Sequence, residues 1–181
     1  MSGAVSRRYA KALFALAKDG NTLQPTADQL LRLAAVGADP AMGPVLRSPM
    51  LSVSRRHELA EMLARELTLP DLLARFLQLL ADHQRLGELP AIADRYQQLL
   101  DAQLGRVRLT IRSAAPLDAQ QEADIVSTFA TLTGKQVISR VVVDGELLGG
   151  VVAEVEGKVY DGSVRTQLDR ISKELSGAAS L

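Results

Sequence analysis

The chain has 181 residues, of which 47% are hydrophobic and only 3% aromatic, so it can bury a core built mainly from aliphatic side chains. Its 21 Lys and Arg residues balance its 21 Asp and Glu residues, which argues against a general nucleic-acid binder, because neutralising phosphates requires a basic surplus. The sequence contains no cysteine, which excludes disulfides and thiolate metal sites.

The start of the chain runs directly into a helical pattern. Residues 1–8 lack the apolar stretch of a signal peptide. No apolar run approaches the roughly 18 to 20 residues that span a bilayer. We therefore expect any contact with a membrane to be indirect, through partner proteins.

The first hundred residues show helical periodicity throughout. In the helix predicted over Ser6–Lys18, an apolar stripe contains Tyr9, Ala10, Leu13, Phe14 and Ala17. About six helices are predicted in all, one of them short. The second helix opens at Pro25, with Thr26 and Gln29 as a capping box, and the short third helix runs over Met42–Leu46. The fourth helix starts after a cap at Ser54. The fifth extends from Pro70 to Gly87, and the sixth extends from Pro90 to about Gln103.

The periodicity changes at Arg106, where Val107, Leu109 and Ile111 alternate with polar residues as in a half-buried strand. A capping box at Asp118 and Gln121 opens a helix that ends at Gly134. The remaining elements are predicted as strands over Val137–Val143 and Leu147–Val155, a short strand at Val159–Tyr160, and a last helix bearing Val164, Leu168, Ile171 and Leu175.

These patterns predict a mainly α fold in two domains with a boundary near Gly105. Residues 1–105 form an N-terminal six-helix bundle, and residues 106–181 form a small C-terminal α/β domain.

A search for catalytic and ligand-binding motifs finds none that is complete. His57-Glu58 starts like a zinc-protease motif, but the second His is missing. Gly134-Lys135 lacks the other residues of a phosphate-binding loop, and Gly149-Gly150 lacks the spacing of a dinucleotide fingerprint. We therefore expect no catalytic residue, no metal and no cofactor.

Two features exceed the expectation for a simple globular domain. The helices over Ser6–Lys18 and Leu72–Leu80 have unusually wide apolar faces, which either form core or leave a groove for a partner's amphipathic helix. The second feature combines the paired Gly149 and Gly150 with the segment Asp161-Gly162-Ser163. Because paired glycines in an apolar strand indicate close backbone approach, these five residues are interpreted as a structural turn.

Four segments resemble one family, in matching order and spacing across nearly the whole chain. They are Arg8–Phe14 (RYAKALF), Arg85–Pro90 (RLGELP), Leu147–Val151 (LLGGV) and Gly157–Arg165 (GKVYDGSVR). Together they are similar to the delta subunit of F-type ATP synthase, whose mitochondrial counterpart is the oligomycin-sensitivity-conferring protein.

The resemblance implies a non-catalytic stator subunit in the peripheral stalk of the synthase. It implies that the N-terminal domain binds N-terminal segments of the alpha subunits of the catalytic head, and that the C-terminal domain holds the b subunits. By this resemblance the alpha contacts are Tyr9, Leu13, Phe14, Leu77, Leu80 and Arg85, and the b contacts are Leu168, Ile171 and Leu175. It also implies a peripheral location on the cytoplasmic face of a bacterial inner membrane.

Two other functions stay open at this point. One is a small enzyme with a site between the domains, which would need convergent polar groups that the sequence does not reveal. The other is an RNA-binding strand face with Arg106, Arg108 and Arg112. This face has no aromatic residue on which bases could stack, and that disfavours RNA binding.

Overall fold

The structure, a computed structural model, describes residues 2–168. It is mainly helical, with one small four-stranded sheet near the C-terminus. Two compact units divide the chain, one up to Leu100 and the other from Asp101. The division falls within the last turn of a helix, slightly before the predicted boundary at Gly105.

Six α-helices and one 3₁₀ helix build the chain between Ser2 and Gln103. The prediction of about six helices in this order therefore holds, with the 3₁₀ helix as an addition. The α-helices are α1 (Ser2–Asp19), α2 (Leu23–Ala38), α3 (Met42–Arg47), α4 (Val53–Glu66), α5 (Asp71–Asp82) and α6 (Leu89–Gln103), and the 3₁₀ helix is Leu86–Glu88.

The core of the N-terminal unit is built from aliphatic side chains on every one of these helices, as the composition predicts. Burial of each large side chain contributes about 1.5–3 kcal/mol. Its largest fully buried members in this unit are Leu13, Leu30, Leu33, Leu73, Leu77, Leu80, Leu86, Leu89, Ile92, Tyr96 and Leu100.

Two helix starts differ from the predictions. The proposed capping box at Thr26 and Gln29 is wrong, because α2 begins earlier and Thr26 is buried within it. Pro25 lies in the first turn, where its missing N–H breaks no helical hydrogen bond. Helix α4 is capped by Ser52 rather than Ser54, since the Ser52 hydroxyl accepts a hydrogen bond of 3.3 Å from the amide of Arg55.

The helix predicted to end at Gly87 ends at Asp82. The chain leaves it through Gln84, whose φ is +56°, and the amide of Arg85 donates to the carbonyl of Leu80. Gly87 instead lies in the 3₁₀ helix, where a β-carbon would stand 2.3 Å from Cγ of Arg47. The glycine therefore serves close packing and not helix termination.

The C-terminal unit contains β1 (Arg106–Ser113), α7 (Ala119–Thr133), β2 (Gln136–Val143), β3 (Val151–Val155) and β4 (Lys158–Asp161). The strand order is β2-β1-β3-β4. Strands β1 and β2 are parallel and connected through α7, whereas the β1–β3 and β3–β4 pairs are antiparallel. Residues 164–168 are helical.

Both ends of α7 match the prediction. The capping box of Asp118 and Gln121 is present, and Gly134 ends the helix with a φ of +66°. The strand predicted over Leu147–Val155 starts only at Val151. The reason is Gly150, whose φ of +80° is incompatible with extended backbone.

Helix α7 packs on only one face of the sheet. That face carries Val107, Leu109 and Ile111 of β1, which cluster with Phe129 of α7. The period-two alternation of β1 is therefore confirmed. Among residues 2–168, no helix is long and apolar enough to cross a bilayer.

Candidate partner-binding surfaces

Helix α1 is joined to α5 by two aromatic rings. Tyr9 and Phe76 meet edge to face, with centroids 6.2 Å apart and an interplanar angle of 72°. The guanidinium carbon of Arg8 lies 5.6 Å from the centre of the Tyr9 ring, which is a cation–π distance. The two helices with wide apolar faces are thus neighbours.

Most residues predicted to line a groove between these helices are core residues. Leu13, Leu77 and Leu80 have at most 1% of their surface exposed, and Tyr9 is also buried. The wide apolar faces exist because both helices are surrounded by other helices of the unit. As alpha contacts these three leucines stay predictions, and a partner could reach them only if helices separated.

Other apolar side chains of α1 and α5 do reach the surface. Leu16, two turns after Tyr9 on α1, is 57% exposed, and Leu79, next to Phe76 on α5, is 44% exposed. Phe14 is half-buried, and Arg85 is exposed just beyond the end of α5. The Phe14 ring packs edge to face on Tyr96, with centroids 5.5 Å apart.

Tyr96 is a buried polar anchor of α6. Its hydroxyl donates a hydrogen bond of 3.0 Å to the carbonyl of Leu23 at the start of α2. Burial raises the pKa of Tyr96 to about 12, against a smaller opposing effect of the Thr26 side chain. The folded chain therefore keeps the Tyr96 side chain as the neutral phenol.

A polar link between α4 and α5 was not anticipated from the sequence. The ring of His57 is hydrogen-bonded to the side-chain oxygen of Gln78, and its Nε2 lies 2.8 Å from Asp82 Oδ1. His57 therefore joins α4 to α5 through both of its ring nitrogens. Gln78 and Asp82 are one helical turn apart, and this spacing on α5 was the available signal.

The structure brings the five residues of the predicted turn together. Gly150 approaches the Gly162 carbonyl so closely that a β-carbon would lie 2.4 Å from the oxygen. Asp161 accepts hydrogen bonds from the Ser163 amide and the Thr166 hydroxyl, each at 2.9 Å. These bonds, that from the Ser163 amide foremost, hold the pKa of Asp161 below its ordinary value.

This turn leads directly into the helical residues 164–168. The Ser163 hydroxyl accepts from the Thr166 amide as an N-cap, and the amide of Val164 donates to the Gly149 carbonyl. Gly149 is in turn close to Val164, since a β-carbon there would stand 3.0 Å from Cγ2 of that valine. The cluster thus fixes the exit direction of the chain after β4.

An open apolar hollow of about 500 Å³ lies between α7 and the β3–β4 half of the sheet. Phe129 and Tyr160 pair edge to face in it, with centroids 5.1 Å apart. The hollow was not predicted, because it depends on α7 covering only part of the sheet. It is lined by Asp124, Ile125, Thr128, Phe129, Val151, Ala153, Tyr160, Asp161 and Gly162.

Of the three predicted b contacts, only Leu168 is described, and it is exposed. Ile171 and Leu175 lie outside the described residues.

The arginines of β1 are each engaged by a side chain of the same unit. Arg106 donates to Gln136 at 3.1 Å, Arg108 to Asp101 at 2.5 Å, and Arg112 to Asp144 at 3.4 Å. This pairing weakens the alternative of an RNA-binding face. Among residues 2–168, no group of three or more His, Asp or Glu side chains could hold a metal ion.

Comparison with known proteins finds one family. Residues 5–175 match the family described as ATP synthase delta (OSCP) subunit. The ATP synthase subunit delta of Anaeromyxobacter dehalogenans (strain 2CP-C) is 43% identical over 176 residues, which cover 97% of this chain and 98% of that protein. The ATP synthase subunit delta of Citrifermentans bemidjiense is 37% identical over 171 residues, covering 94% and 95%.

A solved structure has the same fold. A chain in the cryo-EM structure of the Toxoplasma gondii mitochondrial ATP synthase hexamer superposes with a TM-score of 0.70 at 25% sequence identity. The superposition covers 94% of this chain and 96% of that chain.

Proposed function

This chain belongs to the ATP synthase delta (OSCP) subunit family, and from that premise we propose that its N-terminal unit binds the alpha subunits of the catalytic head while its C-terminal unit holds the b subunits of the peripheral stalk. The chain is a stator subunit of the F-type ATP synthase and performs no catalysis itself. It links the catalytic head to the membrane sector and resists rotor torque during ATP synthesis.

The partly exposed apolar rim of α1 and α5 is the single observation that carries the assignment of the head contact. This rim consists of Leu16, two turns from Tyr9 on α1, and Leu79, one turn from Phe76 on α5, and Tyr9 and Phe76 are the buried pair that joins the two helices. An amphipathic helix from an alpha subunit would cover this rim with its apolar face. Arg85, exposed beyond α5, sets orientation more than affinity.

The head contact is tested with two variants at similarly exposed leucines. Leu16→Glu is expected to weaken binding to synthase depleted of this chain by roughly tenfold or more, because it places a charge in an apolar contact. Leu31→Glu, on α2, is the matched control, since Leu31 is 50% exposed. Equal binding of the two variants would remove the α1–α5 rim from the head interface.

The hollow beside α7 supports the assignment of the b contact to the C-terminal unit. A sheet face four strands wide offers room for two helices side by side, because strands are about 4.8 Å apart and helices pack about 10 Å apart. Helix α7 occupies one position, and the hollow marks the other. A helix of a b subunit would bury Ile125, Phe129 and Tyr160 there.

Two tryptophan substitutions on α7 test this second contact. Thr128 lines the hollow, so Thr128→Trp is expected to fill it and to reduce capture of b subunits. Thr131, also exposed on α7 but outside the hollow, supplies the control Thr131→Trp. Full capture by both variants would place the b contact elsewhere.

Two contacts on one chain suit a stator physically. Interfaces of standard size bury about 800 Å² on each partner. Binding of one partner raises the effective concentration of this chain for the other, so the clamp is stronger than either contact alone. As part of the synthase the chain is peripheral to the membrane, and we place it on the cytoplasmic face of a bacterial inner membrane.

A further inference from the structure

Helix α1 holds an exposed cation beside its junction with α5. The guanidinium carbon of Arg8 lies 5.6 Å from the centre of the Tyr9 ring, and the same ring meets Phe76 of α5. The Arg8 side chain is exposed to solvent. A cation–π contact favours one position of a long side chain that would otherwise rotate freely. The charge of Arg8 is therefore held at the α1–α5 junction.

The charge of Arg8 is not balanced by a neighbouring acid. Among residues 2–168, no carboxylate pairs with this guanidinium, whose single partner is the Tyr9 ring. Helix α1 has one acidic residue, Asp19, which lies about three turns farther on. The two carboxylates of α5 already pair with an arginine and a histidine of the same unit. The N–H groups of Arg8 are therefore free to donate to an outside acceptor.

The apolar rim proposed as the head contact begins near this cation. Leu16 lies about two turns after Arg8 on α1, and the exposed Ala12 lies between them, one turn from each. The small side chain of Ala12 leaves room for a docking helix. Eight residues of helix span about 12 Å. A partner helix of about three turns along α1 would therefore reach from Leu16 to Arg8.

We propose that Arg8 selects the docking segment by donating hydrogen bonds to a carboxylate of an alpha subunit. The proposal deepens the head contact and rests on that proposed function. Exposed ion pairs are ordinarily weak, because both side chains lose freedom and water screens their charges. Here the Tyr9 ring has already ordered one partner, and the apolar rim excludes water once the segment is bound. The alpha segment must then carry an Asp or Glu about two helical turns from the side chains that cover Leu16.

Three substitutions of Arg8 test the charge in binding to synthase depleted of this chain. Arg8→Gln is expected to weaken binding about fivefold, and Arg8→Glu about 20-fold or more, because glutamate repels the carboxylate. Arg8→Lys keeps the charge and should bind within about threefold of wild type. Arg7→Glu is the matched control, since Arg7 is also exposed but points about 100° away around the helix. The control should bind as wild type does, and the Tm of every variant is measured alongside.

Salt dependence is a second readout, which a purely structural role of Arg8 would leave unchanged. The affinity of wild type should fall as NaCl is raised, because salt screens exposed charges, and the affinity of Arg8→Gln should fall less steeply. Equal affinities and equal salt slopes for these two chains would overturn the inference. Equal weakening by Arg8→Glu and Arg7→Glu would also overturn it, because it would show a general effect of net charge.

Two further results separate the possible failures. If Arg8→Gln lowers Tm and Arg8→Lys does not restore binding, Arg8 supports the Tyr9 ring and meets no carboxylate. If Leu16→Glu weakens binding but Arg8→Glu does not, the head contact stands and the charge selection is wrong. Equal binding of Leu16→Glu and its control Leu31→Glu would instead remove the head contact itself, and the inference would fall with it.

Discussion

Gly150 and the carbonyl of Gly162 lie in direct backbone contact, so close that a β-carbon on residue 150 would stand 2.4 Å from the carbonyl oxygen. The amide of Gly162 also donates to Val151 at 2.9 Å. Two glycines far apart in sequence thus close the loop before β3 onto the turn after β4. The double glycine is therefore needed for close approach as well as for its positive φ.

Gly150→Ala is expected to destabilise the chain by about 2–4 kcal/mol, because it combines positive-φ strain with a steric overlap. Urea denaturation followed by circular dichroism measures the change. Gly145→Ala is the control, since a β-carbon at Gly145 meets nothing within 4 Å. Similar stabilities for the two variants would contradict the close approach.

Leu13→Glu is expected to unfold the N-terminal unit rather than to disrupt a docking groove. Leu13 is 1% exposed in the helical core, and an unpaired carboxylate there costs several kcal/mol, a large part of the stability of a domain. The measurement is the far-ultraviolet circular dichroism and the Tm of the purified chain. A folded Leu13→Glu chain that fails only to bind the synthase would restore the groove interpretation at this position.

The difference between Leu13 and Leu16 shows what periodicity can and cannot predict. The apolar stripe of α1 was correct, because hydrophobic spacing reports which face is buried. Whether a neighbour in the same chain or a partner covers a given position depends on helix packing, which the local sequence does not encode. For that reason the sequence predicts a groove position at Leu13, whereas the structure shows Leu13 in the core of the N-terminal unit.

Helix ends and glycine positions also differ in whether the local sequence can predict them. The capping box at Asp118 and the stop at Gly134 were predictable, because both depend on residues adjacent in sequence. The sequence alone predicts a helix stop at Gly87, because the contact that requires this glycine is with Arg47 on a different helix. The hollow beside α7 likewise depends on residues brought together only by the fold.

Acid conditions should weaken the turn at Asp161. Hydrogen bonds from Ser163 and Thr166 lower the pKa of this carboxyl in the folded chain. Its contribution is therefore present above the unfolded-state pKa and is lost as pH falls through the folded-state pKa. Asp161→Asn should be less stable than wild type at neutral pH, and the two chains should converge in acid. A constant difference in Tm down to low pH would exclude ionisation of Asp161 as the cause.

Alkaline conditions should lower the stability of the folded chain by ionising Tyr96. The folded-state pKa of about 12 lies above that of an ordinary tyrosine, so the folded chain retains the phenolic proton longer than the unfolded chain. The stabilising effect is fully present below the unfolded-state pKa of about 10 and is lost as pH rises toward 12. The loss amounts to about 2–3 kcal/mol.

Tyr96→Phe isolates this effect from the other groups that titrate in alkali. At neutral pH the variant should be less stable by about 1 kcal/mol, because it lacks the hydrogen bond to Leu23. Between pH 10 and 12 its free energy of unfolding should fall less steeply than that of wild type, since the unfolded variant lacks the tyrosinate at position 96. Urea denaturation at several pH values measures both slopes. Parallel slopes would show that Tyr96 ionises equally easily in the two states, and its phenol would then not be buried in the core of the N-terminal unit.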